Sequence, residues 1–198
     1  MVSDVRDMRI VSTTVPFNEL DKREFALKRH AAENRALKLM LNVSQSLTPD
    51  TIAIRDTLPF NDLSLDGMTL GAGGADSRDQ WVLPALTQGT NLAWINVAVP
   101  VNRVIVCYGA WMDDALPAVS VLRLEKGGGV MFEYQVERMY PALETIVYFP
   151  QIATWRPQDQ FIARIVPRIT AAAGRRFGLL TVTAEPNANR VNGDLGGR

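Results

Sequence analysis

From Leu92 onward the chain is a succession of short runs rich in β-branched and aromatic residues, each closed by a turn signal. This pattern restricts the fold more than any other feature of the sequence. The runs cover residues 93–99, 103–111, 120–125, 130–138, 144–150, 160–166 and 177–184, with turns at Pro100, Asp113-Asp114, Gly127-Gly128-Gly129, Pro141, Pro157 and Gly174. Many short strands separated by such turns predict an antiparallel β-sandwich or jelly roll. Two turns carry their own chemistry. Lys126-Gly127-Gly128-Gly129 lies between two alternating runs, where glycine supplies the positive φ of a tight hairpin. In Arg156-Pro157-Gln158-Asp159, proline presets the turn and aspartate can bond nearby backbone.

The upstream part reads differently. Met8–Val15 is β-favouring and stops at Pro16, so residues 1–17 are expected to form an extended N-terminal arm. Asn18 to Leu47 reads as the one long helix, with Asp21 and Glu24 at capping-box-like spacing and Phe25, Ala32, Ala36, Leu39 and Val43 recurring near a period of 3.6. Thr48-Pro49 ends it. Thr51–Arg55 is a short strand candidate, followed by a long Asp-, Gly-, Pro- and Ser-rich loop through Gly71–Asp76. A loop of that length inside a compact domain is usually functional, disordered or held against a partner. The polar, glycine-rich stretch 186–198 is expected to be a tail that orders only on a partner. The expectation is one mainly β domain over residues 18–185, carrying an arm and a tail.

The chemical inventory is poor. With 198 residues there is one histidine, His30, and one cysteine, Cys107, which removes most routes to nucleophilic catalysis and to transition-metal binding. His30 sits among cations in Lys28–Ala32 and reads as a surface residue, whereas Cys107 lies in an apolar strand and reads as a core thiol. One cysteine forms no intrachain disulfide. Asp113-Asp114 would point to opposite faces of a strand and reads as a solvated turn. The acids Asp56, Asp62, Asp66, Asp76 and Asp79 do not match the spacing of an EF-hand loop. Gly71-Ala72-Gly73-Gly74 lacks the Lys-Ser/Thr of a phosphate loop, and no Gly-x-Ser-x-Gly elbow occurs. No catalytic residue, cofactor or metal ligand is therefore expected.

Charge and hydropathy point toward binding area instead. Lys plus Arg equals Asp plus Glu, 21 against 21, without the basic excess of a dedicated nucleic-acid binder. No run approaches the ~20 apolar residues of a membrane span. Met1–Asp7 lacks a basic region followed by an apolar run, so manufacture and use without export are expected. Residues 22–38 hold Lys22, Arg23, Lys28, Arg29, Arg35 and Lys38 against Glu24 and Glu33, while residues 49–80 hold six aspartates against Arg55 and Arg78. Opposite local charges on a neutral chain suit subunit docking, which makes Arg29 and Arg35, with Asp62, Asp66 and Asp76, interface candidates. Val104–Tyr108 and Thr145–Phe149 are apolar on both alternating sets, so a second cover is expected for each. The helix can supply part of it and an oligomer interface the rest, with Tyr148 and Phe149 as candidates. Trp81, Trp94, Trp111 and Trp155, with Tyr108, Tyr134, Tyr140 and Tyr148, are a second possibility: an aromatic platform for sugar rings.

The arm Met8–Val15, the helix Asn18–Leu47 and the strand series Ala93–Ala184 together resemble, in architecture, the accessory virion proteins of tailed bacteriophages, above all capsid cement or decoration proteins. That resemblance implies a non-enzymatic homotrimer in the virion, assembled in the host cytoplasm and seated on the major capsid or another virion protein, with no membrane and no specific nucleic acid as partner. The alternatives are a carbohydrate-binding sandwich and a hydrolase working with carboxylates alone, for which Asp113, Asp114 and Asp159 would be the candidates.

Overall fold

The computed structural model describes residues 19–44, 46–63, 81–112, 118–136 and 146–187. The expected arm, the glycine-rich loop, Asp113-Asp114, Tyr140 and most of the tail lie outside these residues. Eight strands, two α-helices and a 3-10 turn at Pro49–Thr51 make up the described chain: α1 (Glu19–Leu41), β1 (Ile52–Asp56), α2 (Pro59–Leu63), β2 (Leu92–Ala98), β3 (Val104–Met112), β4 (Val119–Lys126), β5 (Gly129–Gln135), β6 (Ile146–Trp155), β7 (Gln160–Pro167) and β8 (Phe177–Pro186). They form two four-stranded antiparallel sheets, ordered β1-β8-β3-β6 and β2-β7-β4-β5. Consecutive strands change sheet at every step except β4 to β5, which is the eight-stranded double Greek key of a jelly roll.

The sheets meet through their alternating inner residues. Trp155 on β6 stacks on Phe161 of β7, with ring centroids 4.0 Å apart, and its indole N–H donates to the Glu125 carbonyl on β4 at 3.2 Å. Leu122, Leu124, Ala163 and Ile165 fill the β4-β7 side, and Ile105 faces them from β3. At one end Trp81, Trp94 and Phe177 pack in a chain of tilted rings 5.7 and 5.4 Å apart. A bulge between Ala93 and Ile95 turns Trp94 into this cluster, where it donates to the Val82 carbonyl. The segment 81–91 is held there by an antiparallel backbone exchange with the β7–β8 connection, Leu86 with Ala171 and Leu83 with Gly174 and Arg175.

The outer face of β1-β8-β3-β6 is covered by α1, which packs on β3 and β8. Ala32, Ala36, Leu39 and Met40 bury against it, with Phe25 beside the Tyr108 ring at 6.4 Å. The small side chains let the helix backbone approach the sheet closely. This accounts for β3 and β8, which are buried on both faces over nearly their whole length. The apolar surplus expected to require an oligomer is thus met, on these two strands, inside the chain.

Several boundaries differ from the sequence reading. α1 starts before Asp21, so that residue is inside the helix and does not cap it. It ends at Leu41, not Leu47: Asn42 and Val43 close tight turns onto Leu39 and Met40, and Val43 is exposed instead of joining the core stripe. β6 does not stop at Pro150 but continues to Trp155, because an edge strand tolerates a residue that donates no hydrogen bond on its open side. β8 runs to Pro186, opposite Ile52, and Asn187 donates to the Asp50 carbonyl, so these two residues of the expected tail belong to the folded body.

Candidate functional site

The most concentrated chemistry in the described chain is a closed ring of four charged side chains. Arg55 on β1 donates to Asp62 on α2 through both terminal nitrogens, at 2.6 and 2.8 Å, and through Nε to Glu185 on β8 at 2.9 Å. Arg103, in the β2–β3 turn, completes the ring with Nη1 2.8 Å from Asp62 and Nε 2.9 Å from Glu185. The Asp62 and Glu185 side chains are essentially removed from water, whereas both arginines keep about a fifth of theirs exposed. The Leu58 N–H and the Thr183 hydroxyl also serve Asp62, and Thr57 bonds Thr183 in turn. Burial opposes the charge on Arg55, but the hydrogen bonds to Asp62 and Glu185 outweigh it and hold the guanidinium above its ordinary pKa. Two cations and two anions, mutually saturated, leave no group positioned to act on a substrate. The ring clamps an edge strand, a short helix, a turn and the last strand together.

This placement corrects the reading of Asp62 as a docking residue. A carboxylate with no exposed side-chain area and two arginine partners cannot face a neighbouring subunit. Asp66 and Asp76 lie outside the described residues. Arg29 does not project freely from the basic helix either: it donates to Glu33 at 2.9 Å and reaches Asp56 of β1 at 3.4 Å, pinning α1 to the sheet. Arg35 is exposed on the solvent side of α1. The two aromatic candidates on β6 separate. Phe149 is buried between the sheets, edge-on to Phe132 at 4.4 Å, so it is core and not interface, whereas Tyr148 is half-exposed. His30 is exposed, 4.0 Å from Glu33. Cys107 is buried, and burial pushes its thiol well above the ordinary range. No sequence signal joined Arg55 to Glu185, 130 positions away.

The aromatic-platform reading also loses its material. Trp81, Trp94, Trp111 and Trp155 are all buried, as is Tyr108. Asp159 is occupied as a turn residue, accepting the Arg156 N–H and pairing with Lys126 at 2.5 Å. Among the described residues, no group of three His, Cys, Asp or Glu side chains could hold a metal ion, and no helix is long and apolar enough to cross a membrane.

Among the described residues, no helix packs on the outer face of β7, β4 and β5. Its side chains pair across strands: Gln160 with Asn96, Arg164 with Glu125, and Arg123 with Glu133. Such a ladder orders the side chains of this face and balances their charge.

No family model matches the chain, and no curated protein matches its sequence. Among solved structures, a chain of the VP16-VP17 complex, a complex of the two major capsid proteins of bacteriophage P23-77, aligns with a TM-score of 0.36 and 8% identity, over 68% of this chain and 98% of that one.

Proposed function

We propose that this chain is a structural virion protein, a jelly-roll subunit that acts through binding area on a phage shell as a cement or decoration component. The observation that carries the reading is the strand order β1-β8-β3-β6 over β2-β7-β4-β5 with a filled interior. Eight-stranded jelly rolls serve as shell subunits, lectins and cupins. Ligand-binding sites of small β-folds use an enclosed cavity or an accessible aromatic surface. Here Trp155, Phe161, Leu122 and Leu124 occupy the space between the sheets, and the tryptophans are spent in packing. A body with a charge-laddered outer sheet fits a role in assembly, and among the described residues Cys107, Asp62 and Glu185 are buried.

The test uses shell particles purified from a source that carries this gene. Particles stripped of the chain are challenged with the purified protein. Saturable binding at a fixed number of sites, with slower particle disruption by heat, supports the reading; absence of saturable binding overturns it.

A further inference from the structure

We propose that the N-terminal arm, Met8–Val15, docks on its own chain as an extended segment across the outer face of β1-β8-β3-β6, beside the start of α1, where one of its main-chain carbonyls accepts the Trp111 indole N–H. This goes beyond the virion reading and holds or fails independently of it.

Trp111 is the residue that asks for an occupant. It stands on β3 opposite Gly178 of β8, and Phe177, next to Gly178, points inward onto Trp94 of the other sheet. Gly178 and Trp111 therefore share the outer face, and there the indole lies over the glycine. Trp111 keeps only 9% of its surface exposed, yet its Nε1 has no hydrogen-bond partner. Buried donors are rarely left unmatched, and an indole N–H can only donate, so the missing group is an acceptor. The neighbouring strand leaves room for one. β6 sets Ile146 beside Trp111 and Tyr148 beside Gly109, and both stay half-exposed because α1 packs chiefly on β3 and β8.

The occupant follows from where α1 begins. Arg29 reaches Asp56, which pairs with Val182 and so stands level with Val106, whereas Phe25, a turn earlier, meets Tyr108. The helix thus runs antiparallel to β3, and each step toward its start is a step toward Trp111. From Phe25 back to Glu19 is about 9 Å of helix, and from Tyr108 on to Trp111 about 10 Å of strand. Glu19 accordingly starts level with Trp111. Pro16, Phe17 and Asn18 span at most about 10 Å, which tethers Met8–Val15 beside the site at an effective concentration that a free partner does not match. Lys22, Phe25 and Arg29 on this half of α1, and Asp56 and Tyr148 to either side, each make further contacts, as a segment crossing here would give them. The arm also has the right chemistry: Met8–Val15 is β-favouring, holds no proline and no acid, and when extended turns a carbonyl to each side at alternate residues.

The experiment uses the full chain with Ser12→Cys carrying a nitroxide. Cys107 is buried and its thiol is held protonated by that burial, so the label goes to position 12 alone. The indole N–H resonances of isotope-labelled protein are read, with Trp111 assigned by Trp111→Phe or, should that variant not fold, by elimination from single substitutions of the other tryptophans. The proposal expects the nitroxide to erase the Trp111 signal at every dilution and its chemical reduction to restore it, while Trp155, at the Ile105 end of β3, keeps its signal. It also expects Ile10→Asp with Val11→Asp to speed hydrogen exchange at the Trp111 indole with an unchanged circular dichroism spectrum. An undiminished Trp111 signal in the labelled chain, or exchange that the double variant does not alter, overturns it. So does loss of signal when isotope-labelled chain without nitroxide is mixed with nitroxide-carrying chain, since the arm would then serve a second copy. Each of these results leaves the virion reading untouched.

Discussion

Arg55 and Asp62 meet as a two-pronged pair, Nη1 to Oδ2 at 2.6 Å and Nη2 to Oδ1 at 2.8 Å, and so fasten a sheet edge to a five-residue helix that could not hold its shape alone. The carboxylate is buried and the guanidinium is bound by Glu185 as well, so the two residues belong to one closed network.

Removing one member of such a network leaves the others buried and uncompensated. Asp62→Ala is expected to destabilise by about 3–5 kcal/mol, read as a drop in the urea midpoint with unchanged slope. Replacing Asp62 by lysine puts a third cation into the ring and is expected to prevent folding. A change of less than about 1 kcal/mol in Asp62→Ala would show that the ring does not hold the β1 edge.

Two glycines sit where a side chain has no room. A Cβ on Gly178 would overlap the Trp111 indole, and one on Gly109 would overlap the Val147 carbonyl across the β3–β6 pair. Gly178→Ala and Gly109→Ala are each expected to cost about 1–3 kcal/mol by thermal or denaturant unfolding. Gly89→Ala is the contrast: nothing lies near its Cβ, and its loss comes from a φ of +74° alone.

Thr181 is the opposite case. Its hydroxyl is buried on the inner side of β8, beside Cys107 in the β3 register, with no hydrogen-bond partner. Thr181→Val keeps the shape and removes the unsatisfied group, so a gain of about 1 kcal/mol in unfolding free energy is expected. A loss instead would mean that the hydroxyl is hydrogen-bonded in solution.

Burial pushes the Cys107 thiol and the Tyr108 phenol upward, from ordinary values of 9.0 and 10.0. Each is therefore neutral in the folded chain at pH values where the unfolded chain ionises. The sign follows: below about pH 9 neither group alters stability, and above pH 9 to 10 the unfolded state gains, by at most about 1.4 kcal/mol per pH unit for each group. Cys107→Ala and Tyr108→Phe should each flatten the alkaline limb of a melting-temperature profile. If neither does, the alkaline limb has another origin.

Much of the fold was legible because β patterning is local. All seven strand runs after Leu92 and the short one at Thr51–Arg55 appear within a few residues, since β-branched runs between turn residues have few other outcomes. The jelly-roll order was legible only as a class, because strand pairing is a long-range choice. The candidate docking residues fared differently for the same reason. Asp62 and Phe149 look like surface charge and interface aromatic in the sequence, and their fates depend on Arg103, Glu185 and Phe132, all far away along the chain. The cover for Val104–Tyr108 was half-visible: the helix was apparent, but not that residues as small as Ala32 and Ala36 would seat it along both β3 and β8.

The central claim is that the chain is a counted component of a shell. Quantitative mass spectrometry of extensively washed virions from a source carrying this gene measures it directly, as copies of this chain per copy of the major shell protein. The account predicts a fixed, reproducible ratio, unchanged by salt washes and by successive purifications. A chain absent from washed particles, or present at a ratio that falls with each purification step, would contradict it.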